Sequence, residues 1–429
     1  MVAGALHVRR AGRGRGLTVR RLVAALAGAI LVAAGCLAGS SPAVASGADA
    51  VRDAQYWLDD YGIRDAWSVT RGAGVTIAVI DTGVGSPAEL DGAVVGGTDF
   101  SGKGSADGRT PVGKDGEHGT LVASLAAGRG TGSGSGVIGS APEASILAVS
   151  IGLDTGDSDQ QIADAVRWSV DHGADIINMS LTRNTLDWPV SWDDAFTYAA
   201  DHDVVVLAAA GNRGSGTYEV GAPATMPGVL TVAGVDRAGQ SSENASAQGV
   251  TIGVAAPSEG LVGAMPDGTH VRWNGTSGAT PIVAGVVALV MAAHPELDAA
   301  NVINRITATA RDAGAPGADV TYGFGLLDAY AAVTAEVPHV DANPMGDLAE
   351  WIRVNRPHDA EGSTLVAGPA PVEQAEPARR FDPVGVLVPS PLQLAQVGVP
   401  LLGALLVAFV IGGFLVGAAR AYGGRARRR

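Results

Sequence analysis

The chain has 429 residues, 47% of them apolar, and a formal net charge of −14, which is enough apolar mass for one large core plus appendages. With the six arginines of residues 1–45 and the five of residues 420–429 set aside, 18 Lys and Arg face 43 Asp and Glu, a net −25 over residues 46–419. A body this acidic repels phosphate backbones, so nucleic acid is excluded as a partner.

The first element is basic, from Arg9 to Arg21, and is followed by an uncharged apolar run, Leu22 to Leu37, and by the small-x-small triplet Ala43-Val44-Ala45. This order predicts a secretory signal peptide over residues 1–45. An uncleaved anchor, or lipidation at Cys36, are the alternatives, the latter poorly matched by Ala33-Ala34-Gly35. Cys36 is the only cysteine, so the mature chain is expected to hold no disulfide and no thiolate-bound metal.

From Val75 to about Val333, short apolar runs alternate with amphipathic stretches. Val75–Ile80, Ile146–Val149, Ile176–Met179, Val204–Ala208 and Val229–Ala233 are continuous and largely β-branched or small, as strands buried on both faces are. Ser158 to His172 carries Ser158 and Gln161 at capping-box spacing and places Ile162, Ala165, Val166, Ser169 and Val170 on one face, a helix. Asp298 caps another, with Val302, Ile303 and Ile306. The alternation predicts an α/β domain over residues 46–335, a parallel sheet sandwiched by helices, with its active site at the carboxyl ends of strands.

After Glu336, prolines such as Pro338, Pro357, Pro371 and Pro389 interrupt the chain. They predict a semi-extended linker over 336–396, with a short helix at Leu348–Val354. Val397–Ala419 is 23 residues without a charge, the length of one transmembrane helix. The basic tail 420–429 puts that side in the cytoplasm and the domain outside.

Three segments carry chemistry. Val79-Ile80-Asp81-Thr82-Gly83 is a buried strand ending in a carboxylate. Glu117-His118-Gly119-Thr120 opens a helix with an imidazole, where the helix dipole disfavours the cation. Asn274-Gly275-Thr276-Ser277-Gly278 leads into a long apolar helix whose free amides suit an oxyanion. Alone, each has an ordinary reading: a turn aspartate, a capping histidine, a capping serine. Together, in the order Asp, His, Ser, they resemble the subtilase family of serine proteases. Val206-Leu207-Ala208-Ala209-Ala210-Gly211-Asn212, Gly136-Val137-Ile138-Gly139-Ser140-Ala141-Pro142 and Ile176-Ile177-Asn178-Met179-Ser180 add to the resemblance, which spans about Tyr56 to Val333. The layout, with a signal peptide, Pro-rich linker and terminal span, is similar to that of the mycosins, the membrane-anchored subtilases of type VII secretion.

The resemblance implies a subtilisin-like fold and an endopeptidase in which Asp81, His118 and Ser277 are catalytic and Asn212 lends its amide to the oxyanion. Ser180, Leu181 and Thr182 form a substrate edge, and with Ala209, Ala210 and Gly211 they wall the specificity pocket. Thr182 departs from the usual glycine and Gly278 from the usual larger residue. About 35 residues precede Asp81 after the expected cleavage site, too few for a folded inhibitory prodomain. The family's calcium loop is replaced by Thr131-Gly132-Ser133-Gly134-Ser135, which has no carboxylate, so neither metal nor cofactor is expected. The partners implied are a peptide or protein substrate, the membrane and type VII secretion components. The alternative function is a scaffold that braces a secretion complex, with proteolysis secondary.

Overall fold

The computed structural model describes residues 49–132, 134–153 and 157–356, with the backbone of residues 379 and 380. The chain divides into two units, Met1–Ala48 and Asp49–Arg429. The first lies outside the described residues, as do the expected span at 397–419 and the basic tail. The fold is that of the second unit.

Seven parallel strands form the central sheet: β1 Thr76–Asp81, β2 Val94–Asp99, β3 Ser145–Ser150, β4 Ile176–Met179, β5 Val205–Ala209, β6 Leu230–Val235 and β7 Ile252–Pro257. Their order is β2-β3-β1-β4-β5-β6-β7. The chain goes to one side of β1 for β2 and β3, then to the other side for β4 to β7. β1 therefore stands at the point where the winding reverses, and its carboxyl end borders the crevice where ligands bind in such sheets. Apart from Thr76 and Ser145, every residue of β1 and β3 to β7 is buried, which is why those segments read as unbroken apolar runs. β2 escapes sequence reading because it is a half-exposed edge strand with two glycines, and β7 because it is built largely of small residues.

Helices α1 His118–Ala127, α2 Ser158–Asp171, α3 Val190–Asp201, α4 Thr276–Ala293, α5 Ala299–Ala308, α6 Ala329–Thr334 and α7 Leu348–Asn355 flank the sheet. α1 and α4 pack on each other and on the strands, and α2 packs on α3. The cap of α2 differs from the sequence reading. Asp157, one residue earlier than Ser158, accepts the Gln160 N–H, and the Gln161 side chain instead accepts the Gly152 N–H at 2.7 Å. Asp298 caps α5 by accepting from Asn301 N, as expected. α7 forms where the short helix was read and is docked: Trp351 lies 4.4 Å from Trp188, and Arg356 pairs with Asp193 at 2.8 Å. A small antiparallel pair is formed by β8 Leu261–Ala264 and β9 His270–Trp273, with the backbone of Arg379–Arg380 alongside β9. Among the described residues α4 is the one helix long and apolar enough to cross a membrane, and 83% of it is buried in the domain core.

Candidate active site

Asp81 ends β1 and is 1% exposed. Its carboxylate accepts the Thr82 N–H at 2.7 Å and faces His118 Nδ1 with both oxygens, at 2.8 and 2.9 Å. Thr82 stitches the strand exit to the start of α1: its hydroxyl donates to Gly116 O and accepts from Gly119 N, both at 3.0 Å. The carboxylate accepts a hydrogen bond from Nδ1–H, which fixes the proton on Nδ1 and leaves Nε2 of the neutral ring as the acceptor. That Nε2 is buried with no partner among the described residues.

Two opposing effects set the charge of His118. Burial is the larger single one and pushes its pKa down. The charge of Asp81, its hydrogen bond, and the nearby Glu117 and Asp115 together outweigh it, and the pKa lies above the ordinary 6.5. The helix start that the sequence offers as keeping the ring neutral is thus overridden by carboxylates.

Ser277 is the second residue of α4. The cap is Gly275, at φ 146°, a conformation that side chains rarely adopt. The Ser277 hydroxyl donates to Ser180 O at 3.0 Å and not to His118. In return the Ser180 hydroxyl donates to Ser277 O at 2.9 Å. Pro281 explains this second bond. Four residues on from Ser277, it has no N–H to close the helical hydrogen bond to that carbonyl, and Ser180 supplies the missing donor. Asn178 Nδ2 holds the Ser180 hydroxyl at 2.9 Å.

Asn212 follows β5. Its Oδ1 accepts from Thr276 N at 2.8 Å and from Thr276 Oγ1 at 3.1 Å, and Thr276 Oγ1 accepts from Gly211 N at 3.1 Å. With Oδ1 committed, Nδ2 is the group left to receive an oxyanion. Ser180, Leu181, Thr182, Ala209, Ala210 and Gly211 are all buried. Thr182 and Gly211 do meet: a Cβ built on Gly211 would lie 3.2 Å from the Thr182 methyl and 2.5 Å from that of Thr217. Two threonine methyls thus crowd the place where the resemblance puts the specificity pocket.

Gly278 acquires a physical reason. A Cβ there would lie 2.3 Å from Leu261 and 3.2 Å from Trp273, so the β8–β9 hairpin occupies the space of the larger residue expected at that position. Trp273 also packs edge-on against the His118 ring at 5.8 Å. Thr82, Asn178, Thr217, Thr276 and Trp273 were not singled out from sequence. Thr82, Asn178 and Thr276 carried one signal, their place inside the quoted motifs, whereas Thr217 and Trp273 carried none.

The loop at which calcium is in question ends beside a protein cation, Arg52. Its Gly136 and Ser135 carbonyls accept from the Arg52 guanidinium, at 3.1 and 2.8 Å. Asp49 takes the Gly136 N–H. Those two carbonyl oxygens are directed at a protein cation. No cluster of three or more His, Cys, Asp or Glu suited to a metal occurs among the described residues.

The family model described as "Subtilase family" matches residues 72–325. Subtilisin from Bacillus pumilus is 36% identical over 266 residues, 61% of this chain and 91% of the relative. Among solved structures, the serine protease MycP1, described as an essential component of the type VII (ESX-1) secretion system, is 32% identical with a TM-score of 0.55, covering 65% of this chain and 88% of that one. The MycP3 protease from the type VII (ESX-3) secretion system is also 32% identical, with a TM-score of 0.55 over 66% and 88%. The chain belongs to the subtilase family and is a subtilisin-like serine protease.

Proposed function

We propose that the chain is an endopeptidase that cuts peptide bonds with Asp81, His118 and Ser277. The reading rests on one observation above the others: a buried carboxylate grips His118 at Nδ1 with both oxygens and leaves Nε2 without a partner among the described residues. Ser277 Oγ turns from Ser180 O to Nε2, loses its proton there and attacks the scissile carbonyl. Asn212 Nδ2 and the Ser277 N–H receive the oxyanion. His118 then protonates the leaving amine, with Asp81 stabilising the imidazolium throughout. An extended substrate pairs along Ser180–Thr182 as an added strand, and its side chain enters beside Ala209–Gly211.

The domain limits read from the sequence belong to the same proposal: a signal peptide at 1–45, a peptidase domain at 46–335, a linker at 336–396 whose first part, through α7, is docked on that domain, one membrane span at 397–419 and a cytoplasmic tail at 420–429. They put the catalytic domain on the outer face of the cell membrane. The likeness to MycP1 and MycP3 supports association with type VII secretion. A fluorophosphonate should label the purified protein at Ser277 and leave Ser277→Ala unlabelled; proteolysis that persists in Ser277→Ala overturns the reading. That MycP1 is an essential component of its secretion system favours one second reading, a scaffold role. Complementing a gene deletion with Ser277→Ala separates the two: rescued secretion speaks for the scaffold, failed secretion with the protein present for proteolysis.

A further inference from the structure

Directly after the edge Ser180–Thr182 stands Arg183, a guanidinium 1% exposed. Its Nη1 pairs with Asp159 in the first turn of α2. Its Cζ lies 5.4 Å from the ring of Trp192 in α3, and Trp192 Nε1 donates to the Asp159 carbonyl at 2.8 Å. The backbone is fixed as well, with Arg183 N donating to Ala222 O at 2.8 Å. Arg183 Nε is buried with no partner among the described residues.

This is a poor arrangement for stability alone. Burying an ion pair strips water from both charges, and apolar residues of similar size often serve as well or better. An orphaned N–H adds to the cost. What the arrangement does supply is position. β1 lies between β3 and β4, with Asp81 level with Ser150. The segments that leave β3 and β4 therefore run on either side of the Asp81 end of the crevice. The first turn of α2 reaches both. Gln161 takes the N–H of Gly152 on the β3 side, and Asp159 takes Arg183 on the β4 side. Gln161 and Asp159 sit two residues apart on a helix whose far end packs against α3, so neither segment can shift without straining the other.

We infer that Arg183, Asp159 and Trp192 form a brace that sets the spacing between the two segments flanking an extended substrate, which makes Arg183 a positioning residue for peptide binding. The inference rests on the active-site reading above and adds to it a residue that touches neither the substrate nor the reacting atoms. A guanidinium suits the task because its planar fork fixes direction, which a lysine ammonium does not.

The test compares two rates in the full-length protein: kcat/KM on a randomised, internally quenched octapeptide pool, and inactivation by a small fluorophosphonate that reaches Ser277 without spanning the crevice. In Arg183→Met/Asp159→Asn, which leaves no uncompensated carboxylate, the ratio of the first rate to the second should fall about tenfold, with the loss in KM. Arg183→Lys should restore only part of it. A folded double variant with an unchanged ratio, a parallel loss of both rates, or a double variant that cannot fold makes Arg183 merely structural and overturns the brace. Wild-type protein that the fluorophosphonate fails to label brings down the active-site reading itself, and the brace with it.

Discussion

The two halves of the crevice are organised by different physics. On one side Asp81 and His118 are joined by charge and a two-oxygen contact, both nearly solvent-free. On the other, Ser277 and Asn212 are held by neutral hydrogen bonds from Ser180 and Thr276, and the Ser277 hydroxyl points at a backbone carbonyl. Preorganisation is stronger on the charged side. His118 is held in orientation by a buried contact with a carboxylate, whereas the Ser277 hydroxyl is held by a neutral hydrogen bond to a backbone carbonyl. Disturbing the charged half should thus be costlier than disturbing the donors of the neutral half.

The largest loss expected within the charged half comes from Asp81→Asn. It keeps the shape but presents an amide to Nδ1, so the ring can settle in the wrong tautomer. Turnover should fall about 10⁴-fold, the scale found for this position in other Asp-His-Ser proteases, subtilisin included. Because the carboxylate raises the His118 pKa, the acid limb of kcat/KM in the residual activity should also move to lower pH. A limb that stays put would detach Asp81 from His118. On the neutral side, Asn212→Ala should cost about 10² to 10³ in kcat with little change in KM, as for the matching subtilisin donor. A loss confined to KM would argue against an oxyanion role.

A pH series sharpens the same contrast. The folded pKa of His118 lies above its ordinary 6.5. The His118–Asp81 contact therefore stabilises the fold fully below about pH 6.5 and loses that contribution as pH rises through the raised value. Activity runs the other way, since only neutral imidazole accepts a proton, and below the raised pKa it should fall about tenfold per pH unit. Thermal melts and kcat/KM measured together across this range should cross. Acylation rates that are flat from pH 5 to 8 contradict the base role.

How much of this was readable depended on whether a residue's partner was near in sequence or carried its own signal. β1 and β4 announce themselves because a strand buried on both faces has no polar alternation to disguise it. Asp81, His118 and Ser277 stand out through motif and order. The bonds that hold them do not. Thr276 meets Asn212 across 64 positions, and no local pattern marks a threonine as an anchor. Gly278 was legible as a departure, but its cause, Leu261 and Trp273 on a hairpin absent from the sequence reading, was not. The α2 cap slipped by one residue because Asp157 and Ser158 both suit the role and only geometry separates them. Burial was equally hidden at Arg183, whose place in the sequence gives no hint that a guanidinium sits inside the protein.

The smallest effect expected lies in the tie between the neutral half and the substrate edge. Ser180→Ala removes a donor that Ser277 O has in place of the N–H missing at Pro281. A buried carbonyl left unsatisfied costs about 1–3 kcal/mol, so the melting temperature should drop. Turnover should fall only a few-fold, because the Ser277 hydroxyl still rests on the Ser180 backbone oxygen. Pro281→Ala on top of it returns an N–H to the helix at the right position, and the pair should melt above Ser180→Ala alone. If the second substitution fails to restore stability, the Ser180 bond was not standing in for the missing helical one. The anchoring of α4 to the edge would then rest on packing rather than on that hydrogen bond.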